Sequence, residues 1–113
     1  MLLWKRYKKR YVKAKEYLNK SANQGNPNAN AALGYMYHEG IGVKKDYKIA
    51  KVFFEKAAEK QNPGAFLALG EMYYNGHGVR QDTAKAKEYY GLACDNGIQE
   101  GCDKYAILNK SKK

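Results

Sequence analysis

Apolar residues in this chain recur in steps of three and four. Between Asp46 and Lys60 they fall at Ile49, Ala50, Phe53, Phe54, Ala57 and Ala58, which on a helix of 3.6 residues per turn is one face. Between Gly64 and Asn75 the set is Ala65, Ala68, Leu69, Met72 and Tyr73, again one face. Extended along the chain, the pattern predicts six helices over about 2–24, 28–39, 46–60, 64–75, 82–95 and 99–109. The helix ends carry their own signals. Asp46 and Asp82 stand where a side chain can accept from the open N–H groups of a first turn. The Asn-Pro pairs at 26–27 and 62–63 stop one helix and start the next, because proline fits only a first turn. Gly40 and Gly76 supply C-terminal caps.

The pattern repeats with a period of 36. Ala14, Ala50 and Ala86 align, as do Tyr17, Phe53 and Tyr89, and Leu18, Phe54 and Tyr90. Ala32-Leu33-Gly34 aligns with Ala68-Leu69-Gly70, Met36-Tyr37 with Met72-Tyr73, and Gly40-x-Gly42-Val43 with Gly76-x-Gly78-Val79, all without a gap. A single helix pair cannot bury its apolar face, so stacking of about three such pairs must make the core. The fold class is therefore all-α, an α/α superhelical solenoid, read as a single domain over residues 1–113. Gly34 and Gly70 fall inside helices, where glycine costs roughly 1 kcal/mol relative to alanine. The expected compensation is close approach of a neighbouring helix. Both ends depart from the pattern. The first helix runs upstream with Trp4, Tyr7, Tyr11, Ala14 and Leu18 on one stripe, and Leu69-Gly70 becomes Tyr105-Ala106 in the last unit.

Charge separates the ends from the body. The net charge of +10 comes from 21 basic and 11 acidic residues, but residues 21–109 are balanced. The excess lies in Lys5, Arg6, Lys8, Lys9, Arg10, Lys13, Lys15 and Lys20 at one end, with 1–10 an atypical basic cap, and in a basic tail at 110–113. Solvated helix ends explain this better than a nucleic-acid surface, so nucleic acid is disfavoured as a partner. No apolar run approaches the roughly 20 residues of a membrane span. The first ten residues lack the apolar stretch and cleavage site of a secretory signal.

The recurring Ala-x-x-aromatic-x-x-x-Ala (Ala50, Phe53, Ala57; Ala86, Tyr89, Ala93), Ala-Leu-Gly-x-Met-Tyr and Gly-x-Gly-Val-x-x-Asp elements resemble the Sel-one-like repeat, a tetratricopeptide-type subclass, over about residues 11–109. That resemblance implies a right-handed superhelix whose inner face binds proteins or peptides. The last unit, with Cys94 and Cys102, is similar to the cysteine-rich members found in Helicobacter. Those are secreted or periplasmic, carry a cysteine pair in every repeat, and are often labelled β-lactamase or penicillin-binding. Here the matching positions in the earlier units are Ala22 and Asn30, and Ala58 and Phe66. The resemblance points to a secreted or periplasmic protein, with the cytoplasm as the alternative. It also leaves a weak penicillin-binding or β-lactamase-like activity as an alternative function.

Cys94 near the end of one predicted helix and Cys102 near the start of the next face each other across a short turn, where a disulfide is favoured over two buried free thiols. They form no Cys-x-x-Cys and have no histidine nearby, so neither a metal nor any other cofactor is expected. The sequence offers no candidate catalytic residue. His38 and His77 are not repeat equivalents, and neither Ser21 nor Ser111 begins a Ser-x-x-Lys. The expected activity is non-catalytic binding of a protein or peptide. The resemblance implies that the Leu-Gly helix lines the inner face, and the register then points Tyr35, His38, Glu71, Tyr74, Glu100 and Asp103 inward. Aromatic anchors and three carboxylates suit a peptide with basic and apolar residues. The oligomeric state is left open by the sequence.

Overall fold

The computed structural model describes residues 2–110, with side chains from residue 9 onward. Six helices follow one another: α1 (Leu2–Asn23), α2 (Pro27–Glu39), α3 (Tyr47–Glu59), α4 (Pro63–Asn75), α5 (Thr83–Asp95) and α6 (Gln99–Lys110). There is no strand among the described residues. The expected all-α solenoid is the observed one, in three helix pairs, with helix boundaries within one or two residues of those read from the sequence. The basic tail beyond Lys110, including Ser111, lies outside the described residues. The radius of gyration is 15.3 Å and the extents are 54 × 30 × 23 Å. A globular chain of this length would have a radius nearer about 13 Å, so the molecule is elongated.

Local chemistry sets the helix ends. Asp46 Oδ1 accepts from the N–H of Ile49 at 3.1 Å, and Asp82 Oδ1 from that of Lys85 at 3.0 Å. Asn26 and Asn62 do the same work ahead of the prolines, Asn26 accepting from Asn28 and Ala29, and Asn62 from Ala65. Asn62 also donates through Nδ2 to Asn28 Oδ1 at 2.9 Å. One buried asparagine thus caps α4 and holds it to the preceding helix pair.

The units are joined by a repeated arrangement of ring and glycine. A Cβ built on Gly34 would lie 2.6 Å from the Phe54 ring, and one on Gly70 would lie 2.7 Å from Tyr90. The second helix of each pair therefore opens a socket for an aromatic ring from the first helix of the next. Phe54 is fully buried and Tyr90 nearly so. A second ring contact repeats alongside, Tyr37 stacking on Phe53 and Tyr73 on Tyr89, both at 5.8 Å and 15°. Ala50, Ala57, Leu69 and Met72 close this interface at zero exposure.

Helix α1 departs from its repeat equivalents. Ala14 is exposed although Ala50 and Ala86 are buried, and Tyr17 is 74% exposed although Phe53 and Tyr89 are half-buried. Tyr11 and Leu18 are half-buried. The face that α3 and α5 turn toward a preceding pair is thus open at Ala14 and Tyr17 in α1. Trp4 and Tyr7 of the predicted stripe lie outside the described side chains.

The sockets make a direct prediction. Gly34→Ala and Gly70→Ala each add a methyl group where a buried ring already sits. Overpacking of this kind costs about 1–3 kcal/mol, against roughly 1 kcal/mol gained in helix propensity. Chemical denaturation is expected to show a net loss for both variants despite the better helix former.

Candidate binding groove

On α4 and α6, beside the second socket, an open groove of about 200 Å³ is lined by Tyr74, Tyr90, Lys104, Ile107 and Leu108. Its floor follows from the stacking. Tyr90 enters the Gly70 socket from α5, and its ring forms the inner wall. Tyr74 is 43% exposed at the rim, and Ile107 is 65% exposed beside it. The volume is below the roughly 300 Å³ at which small-molecule sites begin. It suits one apolar side chain better than a metabolite.

Lys104 organises the charges around the groove. Its Nζ bonds Glu71 Oε1 on α4 and lies 3.4 Å from Glu100 Oε2 one turn back on α6. It also sits 5.6 Å from the centre of the Tyr90 ring. The hydrogen bond to Glu71 raises the Lys104 ammonium above its usual range, against the effect of burial. The Tyr90 hydroxyl is pushed up to about 12, chiefly by burial, with Lys104 opposing and Glu71, Tyr74 and Glu100 adding to the rise. Tyr35 is raised as well, first by burial and then by Glu71, Glu100 and Glu39.

The predicted inner-face residues separate into two groups. Tyr35, Glu71, Tyr74 and Glu100 surround the Lys104 cluster, with Tyr35 42% exposed and its ring edge-on to Phe54 at 5.1 Å. Asp103 instead accepts from Gln99 Nε2 on the exposed surface of α6. His38 turns to the loop after α4, where its Nε2 lies 3.2 Å from His77 Nδ1. Sequence reasoning missed Lys104 and Tyr90 as groove residues. Both align with positions that read as core, Lys104 with Ala68 and Tyr90 with Phe54. The one available signal was a lysine standing where the other units carry alanine.

At the elbow between α5 and α6, Cys94 and Cys102 stand at disulfide distance, with Cα atoms 4.5 Å apart. Gly101 permits this approach, since a Cβ there would meet the Ala93 Cβ and the Tyr90 carbonyl oxygen at 2.8 Å. The earlier units carry Ala29 and Ala65 at that position.

The tyrosine environment can be titrated. An unfolded tyrosine ionises near pH 10, whereas folded Tyr90 holds its proton to about pH 12. The stabilisation is fully present below pH 10 and is lost as pH rises through 12. Lys104, raised above 10.5, acts in the same direction. Phenolate absorbance is expected to show a late step that Tyr90→Phe removes, and that variant is expected to lose stability less steeply between pH 10 and 12.

Known proteins resemble the whole stack rather than the groove alone. A protective antigen of uropathogenic Escherichia coli strains, displaying an SLR fold, superposes with a TM-score of 0.80 at 34% identity, over 83% of this chain and 20% of its own. A Sel1 repeat protein from Oxalobacter formigenes gives 0.83 at 31% identity, over 87% and 40%. The cysteine rich protein B of Helicobacter pylori gives 0.74 at 30% identity, over 79% and 67%. The chain thus spans only a fifth and two fifths of the first two. No curated protein matches the sequence. The Sel1 repeat profile matches residues 7–26, 27–62 and 65–98, most of the chain. With three consecutive matches running from α1 through α5, the chain belongs to the Sel1 repeat family.

Proposed function

We propose that this chain is a non-catalytic binding module that holds a peptide segment of a protein partner across the groove between α4 and α6. Repeats of this family generally mediate protein interactions. The observation that carries the reading is the apolar slot of Tyr74, Tyr90, Ile107 and Leu108, open to solvent and rimmed by charge. Exposed aromatic residues around a side-chain-sized recess are the usual anchors of protein recognition. Glu71 and Glu100 both face Lys104, so the rim is closer to charge balance than three free carboxylates would be. An apolar anchor residue therefore matters more than a basic one. Tyr35 extends the surface toward the first unit.

We also propose that the protein works outside the cytosol. The cysteine pair at disulfide distance and the structural likeness to a cysteine rich Helicobacter pylori protein support it, because such bonds persist in oxidising compartments.

Peptides selected on the folded chain from a random library are expected to share an aromatic or large aliphatic residue. Calorimetric titration of one such peptide is expected to show binding at least tenfold weaker for Tyr74→Ala and for Ile107→Asp, with unchanged helical circular dichroism. Unchanged affinity in both variants excludes the groove. In protein taken from its native compartment, Cys94 and Cys102 are expected to resist alkylation until reduced. Replacing both with serine is expected to cost about 2–3 kcal/mol of stability for a loop this short.

A further inference from the structure

The two histidines of the chain are 39 residues apart and not repeat equivalents, yet they meet. His38 closes α2 in the first unit, and His77 lies in the loop that follows α4 in the second. His38 Nε2 and His77 Nδ1 are 3.2 Å apart. Each ring is held. His38 Nδ1 lies 3.0 Å from Glu39 Oε1, and in the neutral tautomer with its proton on Nδ1 the Nε2 lone pair faces His77. The His77 ring stacks on Tyr47 at 4.4 Å and 5°. Its backbone is pinned between Gly76 and Gly78, both at positive φ, with Gly78 packed against the start of α3.

We propose that this pair is a binding site for a late first-row divalent transition metal, with Cu²⁺ the preferred ion. Imidazole nitrogens bind such ions at about 2.0–2.1 Å. Two of them on one ion then stand about 2.9 Å apart at a right angle and about 3.4 Å apart at a tetrahedral angle. The observed 3.2 Å falls between these values. The carboxylate behind His38 is the outer partner that a ligating histidine commonly has. The His38 side chain keeps 20% of its surface open, so an ion can enter. No third histidine, cysteine, aspartate or glutamate joins the pair among the described residues, and water completes the coordination. Two imidazoles alone favour Cu²⁺ over Ni²⁺ and Zn²⁺ by the general order of divalent affinities. The ion would tie the first unit to the loop of the second.

The test uses the full chain with its cysteines oxidised. Cu²⁺ is titrated by calorimetry, and the bound ion is examined by electron paramagnetic resonance. The expected result is one ion per chain with two nitrogen ligands from imidazole. His38→Ala and His77→Ile are each expected to weaken binding at least tenfold, and Cu²⁺ is expected to raise the thermal midpoint of the parent chain but of neither variant. Ile is the residue that the first unit carries at the place of His77 (Ile41), so the second variant preserves the loop. Binding that survives both substitutions, or a titration no different from that of the doubly substituted chain, overturns the site and leaves the contact as a hydrogen bond between two rings.

Discussion

Everything in this fold depends on the entry of an aromatic ring into a gap left by a missing Cβ. Phe54 fills the space over Gly34, and Tyr90 the space over Gly70. Each ring belongs to the unit that follows, so each contact is a joint between units rather than a part of either. The joint aligns the parallel stacks of Tyr37 on Phe53 and Tyr73 on Tyr89. It also presents the Tyr90 ring as the wall of the groove. Glycine inside a helix is locally unfavourable, and the burial of a ring of this size more than offsets it.

Much of this was legible in the sequence because it is local or periodic. The 36-residue shift exposed the helix pairs, the caps at Asp46 and Asp82, and the two mid-helix glycines. What escaped the reading is whatever breaks the period. Lys104 occupies an alanine position of the other units and read as core. Its long side chain reaches from α6 to Glu71 on α4. The His38–His77 contact joins positions that a shift of 36 sets against Tyr74 and Ile41, so self-comparison conceals it. Ala14 shows the reverse case: it keeps the repeat pattern but not the repeat environment, because burial depends on the neighbour and not on the residue.

The Cys94–Cys102 elbow and the groove lie on the same pair of helices. Gly101 lets α6 approach α5 more closely than alanine would. The cysteine pair closes that turn covalently when oxidised. Ile107 and Leu108 lie farther along the same helix. The spacing of the groove walls is thus set from the elbow. Lys104, bonded to Glu71 across the groove, fixes the other side.

Because each joint involves only adjacent units and the repeats align without a gap, the chain can gain or lose 36 residues and still close every ring-and-glycine joint. A recombination event joining Tyr37 to the residue after Tyr73 would restore the same ring stack with Tyr89 and bring Leu33 and Gly34 to Tyr90. Array length is therefore free to drift in evolution at little structural cost. The histidine pair and the cysteine elbow are not interchangeable in this way: the first is lost when its two units are separated, whereas the second travels within one unit.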